Sequence, residues 1–196
     1  MDEKIIPFEK ISTLIEELRR TKPSFTAVLC HGCFDIVHPG HIRHLRFAKE
    51  QGTCLVVSIT PDSCIQKGSG RPFMPQGMRA ENLAALECVD YVTIAPGDTG
   101  LEPIAAIKPD IYVKGSEYAE SADPRFLKEK ELAENLGGEM VYSSGEVVFS
   151  SSRIIMDCNL ETAIEEKLKY ICAKQSITSE QIGRASCREE CSLPCR

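Results

Sequence analysis

The chain has 196 residues, of which 42% are hydrophobic and 27% charged, a globular composition that excludes collagen-like, coiled-coil and wholly disordered proteins. The formal net charge is −6 and the pI is about 5.3, so we expect no broad positive face for nucleic acid. No apolar run approaches the ~18 to 20 residues that span a bilayer, and the N-terminal residues lack a signal-peptide pattern. We therefore expect a cytoplasmic protein with no membrane partner.

Short apolar segments alternate with helical ones along the chain. Five segments rich in Val, Ile and Tyr are predicted to be buried parallel strands: residues 25–30, 54–60, 91–95, 111–114 and 140–143. Helices are predicted over residues 11–20, 41–51, 77–87, 101–107, 124–136 and 160–173, the last as a terminal helix or the start of a linker. This order predicts an α/β fold, a Rossmann-like three-layer α/β/α arrangement around a five-stranded parallel sheet. In such a sheet, ligands bind beyond the carboxyl ends of the strands.

The loop after the first predicted strand, residues 31–41, holds three of the four histidines. Pro39 suits the first turn of a helix, which places His41 in that turn and His38 just outside it. Gly40 lets a ligand approach the backbone, and a helix N-terminus offers N–H donors and a partial positive charge to a phosphate. Two imidazoles there can stabilise a polyphosphate whose charge shifts during a reaction. In the alternative interpretation, one histidine caps the helix and the other is solvated.

Three further motifs each have a functional and a structural interpretation. Lys67, in a Gly-rich loop, is a candidate phosphate ligand or a solvated lysine. Arg79, at the start of a helix, opposes the helix dipole unless an anion nearby compensates it. Lys114 and Gly115 end the fourth strand and either border a nucleotide base or form a simple turn.

Two other positions combine a structural role with a binding one. Asp35 either orients the histidine loop by accepting backbone N–H groups or assists a hydrated cation, and we prefer the structural role. Ser151 and Ser152 precede a helical segment and are expected to cap it. The same hydroxyl and N–H groups can also hold a phosphate.

The histidine loop reads G-x-F-D-x-x-H-x-G-H from Gly32 to His41. This string resembles the signature of the nucleotidyltransferase superfamily that includes glycerol-3-phosphate cytidylyltransferase, pantetheine-phosphate adenylyltransferase and the adenylyltransferase half of bifunctional heptose kinase/adenylyltransferases. Further motifs follow in the order seen in the last type: KGxxRP at 67–72, QxxR at 76–79, KPDxxVKG at 108–115 and SSS at 150–152. Two departures, Ser116-Glu117 and the absence of an arginine within residues 142–145, leave the acceptor and the base open.

The resemblance implies transfer of a nucleoside monophosphate from ATP or CTP to a sugar phosphate or polyol phosphate, with release of pyrophosphate. It assigns His38 and His41 to the developing charge, Lys67 and Arg79 to the phosphates, and Ser151 to the β/γ end. Mg²⁺ is the implied cofactor, carried by the triphosphate rather than by a protein metal site. The residues expected to bind the nucleotide are Gly32, Phe34, Asp35, Gly40, Lys114, Gly115, Ser151 and Ser152. Of the two donors, we favour ATP.

Other interpretations stay open. The chain is alternatively a glycerol-3-phosphate-type cytidylyltransferase or a non-catalytic nucleotide-binding regulatory module. It is also compatible with a fragment of a bifunctional sugar kinase/adenylyltransferase whose kinase domain is missing after about residue 160. We leave a homodimer open as well.

The ten cysteines divide into two groups, seven within residues 1–181 and three within the last ten residues. The first group lies mostly in apolar runs, as expected for reduced thiols of a cytosolic protein. Cys30 and Cys33 have redox or zinc spacing, but no second pair with zinc-ribbon spacing accompanies them. We predict a nucleotidyltransferase domain over residues 1–157, a helix or linker over 158–181, and a disordered tail over 182–196 that resembles translated sequencing-adapter read-through.

Overall fold

Strands and helices alternate along the chain as predicted. The computed structural model describes residues 2–66 and 71–143. Its strands are β1 (Ala27–Gly32), β2 (Cys54–Ile59), β3 (Tyr91–Ile94), β4 (Ile111–Gly115) and β5 (Glu139–Ser143). Its helices are α1 (Phe8–Thr21), α2 (Pro39–Glu50), α3 (Gln76–Ala84), α4 (Leu101–Ile107) and α5 (Pro124–Asn135). The helix predicted over residues 160–173 and the domain boundaries predicted at 157 and 181 lie outside the described residues.

All five strands are parallel, in the order β3-β2-β1-β4-β5. The central strand β1 pairs with β2 from Ala27 opposite Cys54 onward, and with β4 from Val28 opposite Ile111 onward. The chain thus builds one half of the sheet outward from β1 and then returns to build the other half from β4. The connections diverge between β1 and β4, which is the switch point where open α/β sheets bind ligands.

Alternate side chains of the strands pack against opposite helical layers. Along β1, Val28 and Cys30 join the cluster that includes α2 and α3, whereas Ala27 and Leu29 join the cluster that includes α1, α4 and α5. Every residue of β2 is buried, as expected for a parallel strand covered on both faces. The predicted three-layer arrangement is confirmed.

The helix ends differ from the predicted ends by a few residues, for local reasons. α2 begins at Pro39, two residues early, because His38 caps it. α3 ends at Ala84 rather than at residue 87, because the Leu86 N–H turns back to the Leu83 carbonyl. None of the helices in residues 2–66 and 71–143 is long and apolar enough to cross a bilayer.

Candidate active site

The histidine loop leaves the carboxyl end of β1 and enters α2 through His38. The backbone of His38 is extended (φ −132°, ψ 168°), and its Nδ1 accepts hydrogen bonds from the N–H of Gly40 at 3.1 Å and of His41 at 3.4 Å. An imidazole nitrogen that accepts carries no proton, so a neutral His38 has its proton on Nε2. The structural interpretation, in which one histidine caps the helix, is therefore confirmed for His38. The cap uses only Nδ1 and leaves the Nε2–H of His38 as a donor.

The second histidine of the motif stacks on the first. The ring centroids of His38 and His41 are 3.8 Å apart with 24° between the planes, and Phe34 meets His41 edge to face at 5.1 Å. Burial, followed by the charge of Arg43, lowers the pKa of His38 below its ordinary value. Two cationic rings at this distance would repel each other, so the stack and the cap both favour a neutral His38.

The turn that precedes this pair of rings has an unusual backbone at Phe34 and a glycine at position 32. Phe34 adopts the left-handed region (φ 47°), which is rare for a residue with a bulky side chain. Gly32 favours this arrangement, because a Cβ at this position would lie 3.2 Å from the Phe34 ring and would push the ring away. The structure thus brings together Gly32, Phe34, His38 and His41, four of the residues that the motif nominates.

Asp35 is the buried carboxylate of the loop, with 2% of its surface exposed. Its Oδ2 accepts from Arg71 Nε at 2.6 Å and its Oδ1 from the Met74 N–H at 3.0 Å. Burial alone would raise the pKa of Asp35, but the Met74 and Phe73 N–H groups together with the Arg71 guanidinium outweigh it and lower the pKa. This geometry gives Asp35 the orienting role that we preferred. Its contact with a nucleotide stays a prediction.

Arg79 is fully buried in α3, and its guanidinium donates hydrogen bonds to the loops around the site. Nε donates to Met74 O at 3.0 Å and Nη1 to Cys33 O at 2.6 Å. Nη2 donates to Thr60 O at 2.8 Å and to Asp62 Oδ1 at 2.6 Å. The anion that compensates its charge is thus Asp62. The described geometry makes Arg79 a positioning residue that joins the histidine loop to the loop after β2, and its predicted contact with phosphates stays a prediction.

The carboxyl end of β4 carries a buried ion pair rather than a free cation. Lys114 Nζ lies 3.0 Å from Glu129 Oε2. Glu129 also accepts from the Gly100 N–H at 2.6 Å and from the Tyr112 hydroxyl at 2.8 Å. Burial would raise the pKa of Glu129, but Lys114 and these two donors outweigh burial and lower it. Lys114 and Gly115 stand at the switch point as predicted, and their contact with a nucleotide base is untested.

Two histidines that the sequence analysis did not nominate also lie at this edge. His31, the fifth residue of β1, is 8% exposed, and its Nδ1 lies 3.3 Å from Ser58 Oγ. His44 in α2 lies 2.7 Å from Ser143 Oγ at the end of β5. Burial, with a smaller effect of Lys114, lowers the pKa of each ring to about 4. The position of His31 at the end of the central strand could have identified it, whereas the partner of His44 is 99 residues away in the sequence.

A cavity of about 310 Å³ opens beside the histidine loop, over the carboxyl ends of β1 and β4. Gly32 and Cys33 of the loop form part of its wall, and His31, Lys114 and Glu129 line it. The Cys30 thiol points instead into the core, where burial raises its pKa well above the usual range. Of the other nominated residues, Lys67, Ser151 and Ser152 lie outside the described residues.

The family model described as cytidylyltransferase-like matches residues 29–157, about two thirds of the 196 residues. The matched range includes the histidine loop, Arg79, all of β4 and most of β1. The chain therefore belongs to the cytidylyltransferase-like family and is a nucleotidyltransferase.

Comparison with individual proteins shows which members of this family the chain is similar to. It is 40% identical over 142 residues to the bifunctional protein HldE of Syntrophotalea carbinolica, an alignment that covers 71% of this chain and 28% of that protein. It is also 40% identical over 157 residues to the bifunctional protein HldE of Helicobacter hepaticus, covering 78% and 31%. A lipopolysaccharide core biosynthesis protein from Thermoplasma volcanium superposes with a TM-score of 0.52 at 26% identity, over 62% of this chain and 99% of that structure. The chain thus spans less than a third of the length of the two HldE relatives.

Proposed function

We propose that this chain transfers the adenylyl group of ATP to a sugar phosphate and releases pyrophosphate. The observation that carries the proposal is the N-terminus of α2, where the cap leaves Nε2–H of His38 as a donor beside the stacked ring of His41. The helix dipole and the imidazole donor meet there, and the carboxylate of the histidine loop, Asp35, is already paired with Arg71. Such a site attracts phosphate and can stabilise charge that builds on it.

The chemistry needs little acid or base assistance. A phosphate monoester has a second pKa near ~6, so at neutral pH the acceptor is mostly a dianion and attacks without a general base. An acceptor oxygen forms a bond to the α-phosphorus of ATP while the bond from that phosphorus to the α,β-bridging oxygen breaks, and its electron pair leaves with pyrophosphate. We assign His38 and His41 to the oxygens of the α-phosphate, where negative charge increases during transfer.

The remaining nominated groups act on the phosphates or on the loops. We propose that Lys67 binds the phosphates as a mobile point charge and that Ser151 and Ser152 hold the β/γ end. Arg79 positions the Cys33 carbonyl and the loop after β2 from beneath. Phe34 and Gly40 shape the approach to the backbone of the histidine loop.

Mg²⁺ is proposed to arrive with the triphosphate, whose charge it neutralises. What supports the proposal is that Asp35, the carboxylate of the histidine loop, already pairs with Arg71 and accepts from the Met74 N–H. The protein's task is then to bind the phosphates through N–H and cationic groups.

ATP is favoured over CTP because the motifs from residue 71 to residue 115 resemble the heptose-phosphate adenylyltransferase type. Relatives at 40% identity are bifunctional HldE proteins, and the aligned part is less than a third of their length. We therefore propose that this chain supplies the adenylyltransferase activity of such a protein. No kinase activity is assigned to the described residues.

A pyrophosphate-release assay tests this proposal. ATP and CTP are each combined with Mg²⁺ and with hexose 1-phosphates, heptose 1-phosphates or glycerol 3-phosphate. We expect release with ATP and a sugar 1-phosphate, at least tenfold faster than with CTP. A tenfold preference for CTP with glycerol 3-phosphate would identify the cytidylyltransferase alternative, and nucleotide binding without release in any combination would identify the regulatory module.

The proposed phosphate contact of Lys67 has its own matched control. Lys67→Ala should weaken ATP affinity, whereas Lys10→Ala, which removes an exposed lysine from α1, should leave it unchanged. Equal affinities of both variants and the wild type would return Lys67 to the solvated lysine of the alternative interpretation.

A further inference from the structure

The cavity beside the histidine loop contains charges that are already paired. Three carboxylates, Asp98, Asp123 and Glu129, face two cations in its lining, Lys114 and Arg125. Lys114 lies 3.0 Å from Glu129, and Arg125 lies 3.2 Å from Asp123 and 3.7 Å from Asp98. A triphosphate would have to compete with these carboxylates for Lys114 and for Arg125. An uncharged group rich in hydroxyls can instead donate to the carboxylates and leave the ion pairs intact.

One side chain in this lining lacks a hydrogen-bond partner where a ligand would supply it. His31 is 8% exposed and its Nδ1 faces Ser58, while its Nε2 is buried without a well-formed hydrogen bond. The backbone of Asp98 lies near enough to act against the lowering of the pKa of His31, but it does not complete a hydrogen bond to Nε2. Buried polar groups nearly always have partners, so an unpaired nitrogen on a cavity wall points to a bound molecule. Thr93, on β3, also has an unpaired buried oxygen but does not line the cavity.

The chemistry of the ring indicates which group it would bind. Burial, with a smaller effect of Lys114, lowers the pKa of His31 to about 4, so the ring is neutral at pH 7. A neutral imidazole presents Nε2 either as an N–H donor or as a lone pair, depending on its tautomer. A hydroxyl group can pair with both forms, whereas an ionised phosphate oxygen can pair only with the donor form.

We infer that His31 is a specificity-determining residue whose Nε2 hydrogen bonds to a hydroxyl of the sugar part of the acceptor, bound in the cavity between β1 and β4. The sugar's phosphate would then lie toward the histidine loop, because Gly32 and Cys33 belong to both the loop and the cavity wall. The identity of the acceptor rests on the proposed function, but the binding of a hydroxylated ligand by His31 does not.

The test compares three substitutions in the full chain. His31→Phe keeps a ring and removes both nitrogens. His31→Gln places an amide at the position of Nε2, and His31→Asn places one at the position of Nδ1, which faces Ser58. Thr93→Val is the matched control, because it removes an unpaired buried polar atom outside the cavity.

Calorimetry measures the affinity of each variant for mannose 1-phosphate, glucose 1-phosphate, glycerol 3-phosphate and inorganic phosphate, with Mg²⁺ and a non-hydrolysable ATP analogue present. We expect His31→Phe and His31→Asn to weaken binding of at least one hexose 1-phosphate about tenfold or more, since an unpaired hydroxyl is costly in a closed site. Inorganic phosphate and the ATP analogue should change less than twofold. His31→Gln should recover most of the affinity, and Thr93→Val should behave as the wild type.

Several results would overturn the inference. One is an unchanged affinity of His31→Phe for hexose phosphates, and another is the absence of any hexose phosphate binding by the wild type. A third is an equal loss of affinity for the ATP analogue, which would place the nucleotide in the cavity. If His31→Phe does not fold, the contrast between Gln and Asn decides. Pyrophosphate release separates the two proposals: binding through His31 without release contradicts the proposed function alone, and release with an acceptor KM that His31→Phe leaves unchanged contradicts this inference alone.

Discussion

The site has two regions at the same edge of the sheet, the N-terminus of α2 and the cavity over the ends of β1 and β4, and they present different chemical groups. At the N-terminus of α2, the backbone N–H groups of Gly40 and His41 are taken by the His38 cap, so the groups offered are the helix dipole and the stacked imidazoles with the Nε2–H of His38. In the cavity between β1 and β4, carboxylates and cations pair with each other around a neutral imidazole. Phosphate is favoured at the first and has no free cation among the described residues of the second.

This difference orients the substrates before any specific contact forms. Under the proposed function, negative charge would be drawn to the helix terminus and the uncharged part of the acceptor would occupy the cavity. Because the loop residues Gly32 and Cys33 form a wall of the cavity, a molecule that carries a phosphate on a hydroxylated body can occupy both regions together.

The largest expected effect is on Arg79, which joins the two regions from beneath. Arg79→Met leaves Asp62 Oδ1 and three carbonyls without this donor, so the free energy of unfolding should fall by several kcal/mol, since each buried acceptor left unpaired costs about 1–3 kcal/mol. Arg19→Met, which breaks a half-exposed pair with Asp110, should lose about 1 kcal/mol or less. Urea unfolding measures both. Wild-type stability of Arg79→Met together with lost ATP affinity would favour direct phosphate binding instead.

The second largest effect is expected in the histidine loop, where two substitutions of His38 separate its helix-capping role from its proposed catalytic role. His38→Ala removes both, whereas His38→Asn keeps a good N-cap and removes the ring, with its donor and its stack on His41. Both variants should lower turnover by about 10²–10³, the range for losing one preorganised donor. Only His38→Ala should also lose about 1 kcal/mol of stability through the cap. Pyrophosphate release and thermal unfolding are the measurements, and full turnover in His38→Asn would refute the catalytic role of the ring.

His41 offers a comparison within the same stack. His41→Ala should lower turnover into the same range of about 10²–10³, because it removes the ring that stacks on His38 at the helix terminus. Its effect on stability should be smaller than that of His38→Ala, since His38 and not His41 caps α2. Turnover close to that of the wild type would remove His41 from the assignment.

A smaller effect on the free energy of unfolding is expected as pH falls, because the buried rings of His31 and His44 then titrate. The pKa values of His31 and His44 are lowered to about 4 from an ordinary 6.5, so the folded state holds both rings neutral. The stability that each contributes is fully present above pH 6.5 and is lost progressively as pH falls from 6.5 to about 4, because the unfolded chain takes up the proton first. Between pH 7 and pH 5 the free energy of unfolding should drop by about 2 kcal/mol for each ring.

Urea unfolding of the wild type and of His44→Gln at the two pH values checks this, since the variant has one titrating ring fewer. The lowered pKa values of Asp35 and Glu129 act below pH 4 to 5, so the interval from pH 7 to pH 5 reports mainly on the histidines. An equal drop in both proteins would show that His44 is not held neutral by the fold.

The sequence by itself determined the elements and the first half of the site. Apolar periodicity located all five strands and the five described helices, and the spacing of Pro39, His38 and His41 located the helix terminus at which the rings stack. These features depend on contacts within about four residues, such as the cap from His38 Nδ1 to the N–H groups of Gly40 and His41. Local spacing is visible in a sequence.

Only the tertiary structure decided the second half. Arg79 reads as a surface cation at a helix start until the fold brings it to the Cys33 carbonyl, 46 residues away. Lys114 reads as a free charge until Glu129 approaches from α5, and His31 reads as one more strand residue until the sheet order places it beside both. Whether a polar group is paired, neutral or free depends on burial and on partners distant in the sequence, and these follow from packing rather than from periodicity.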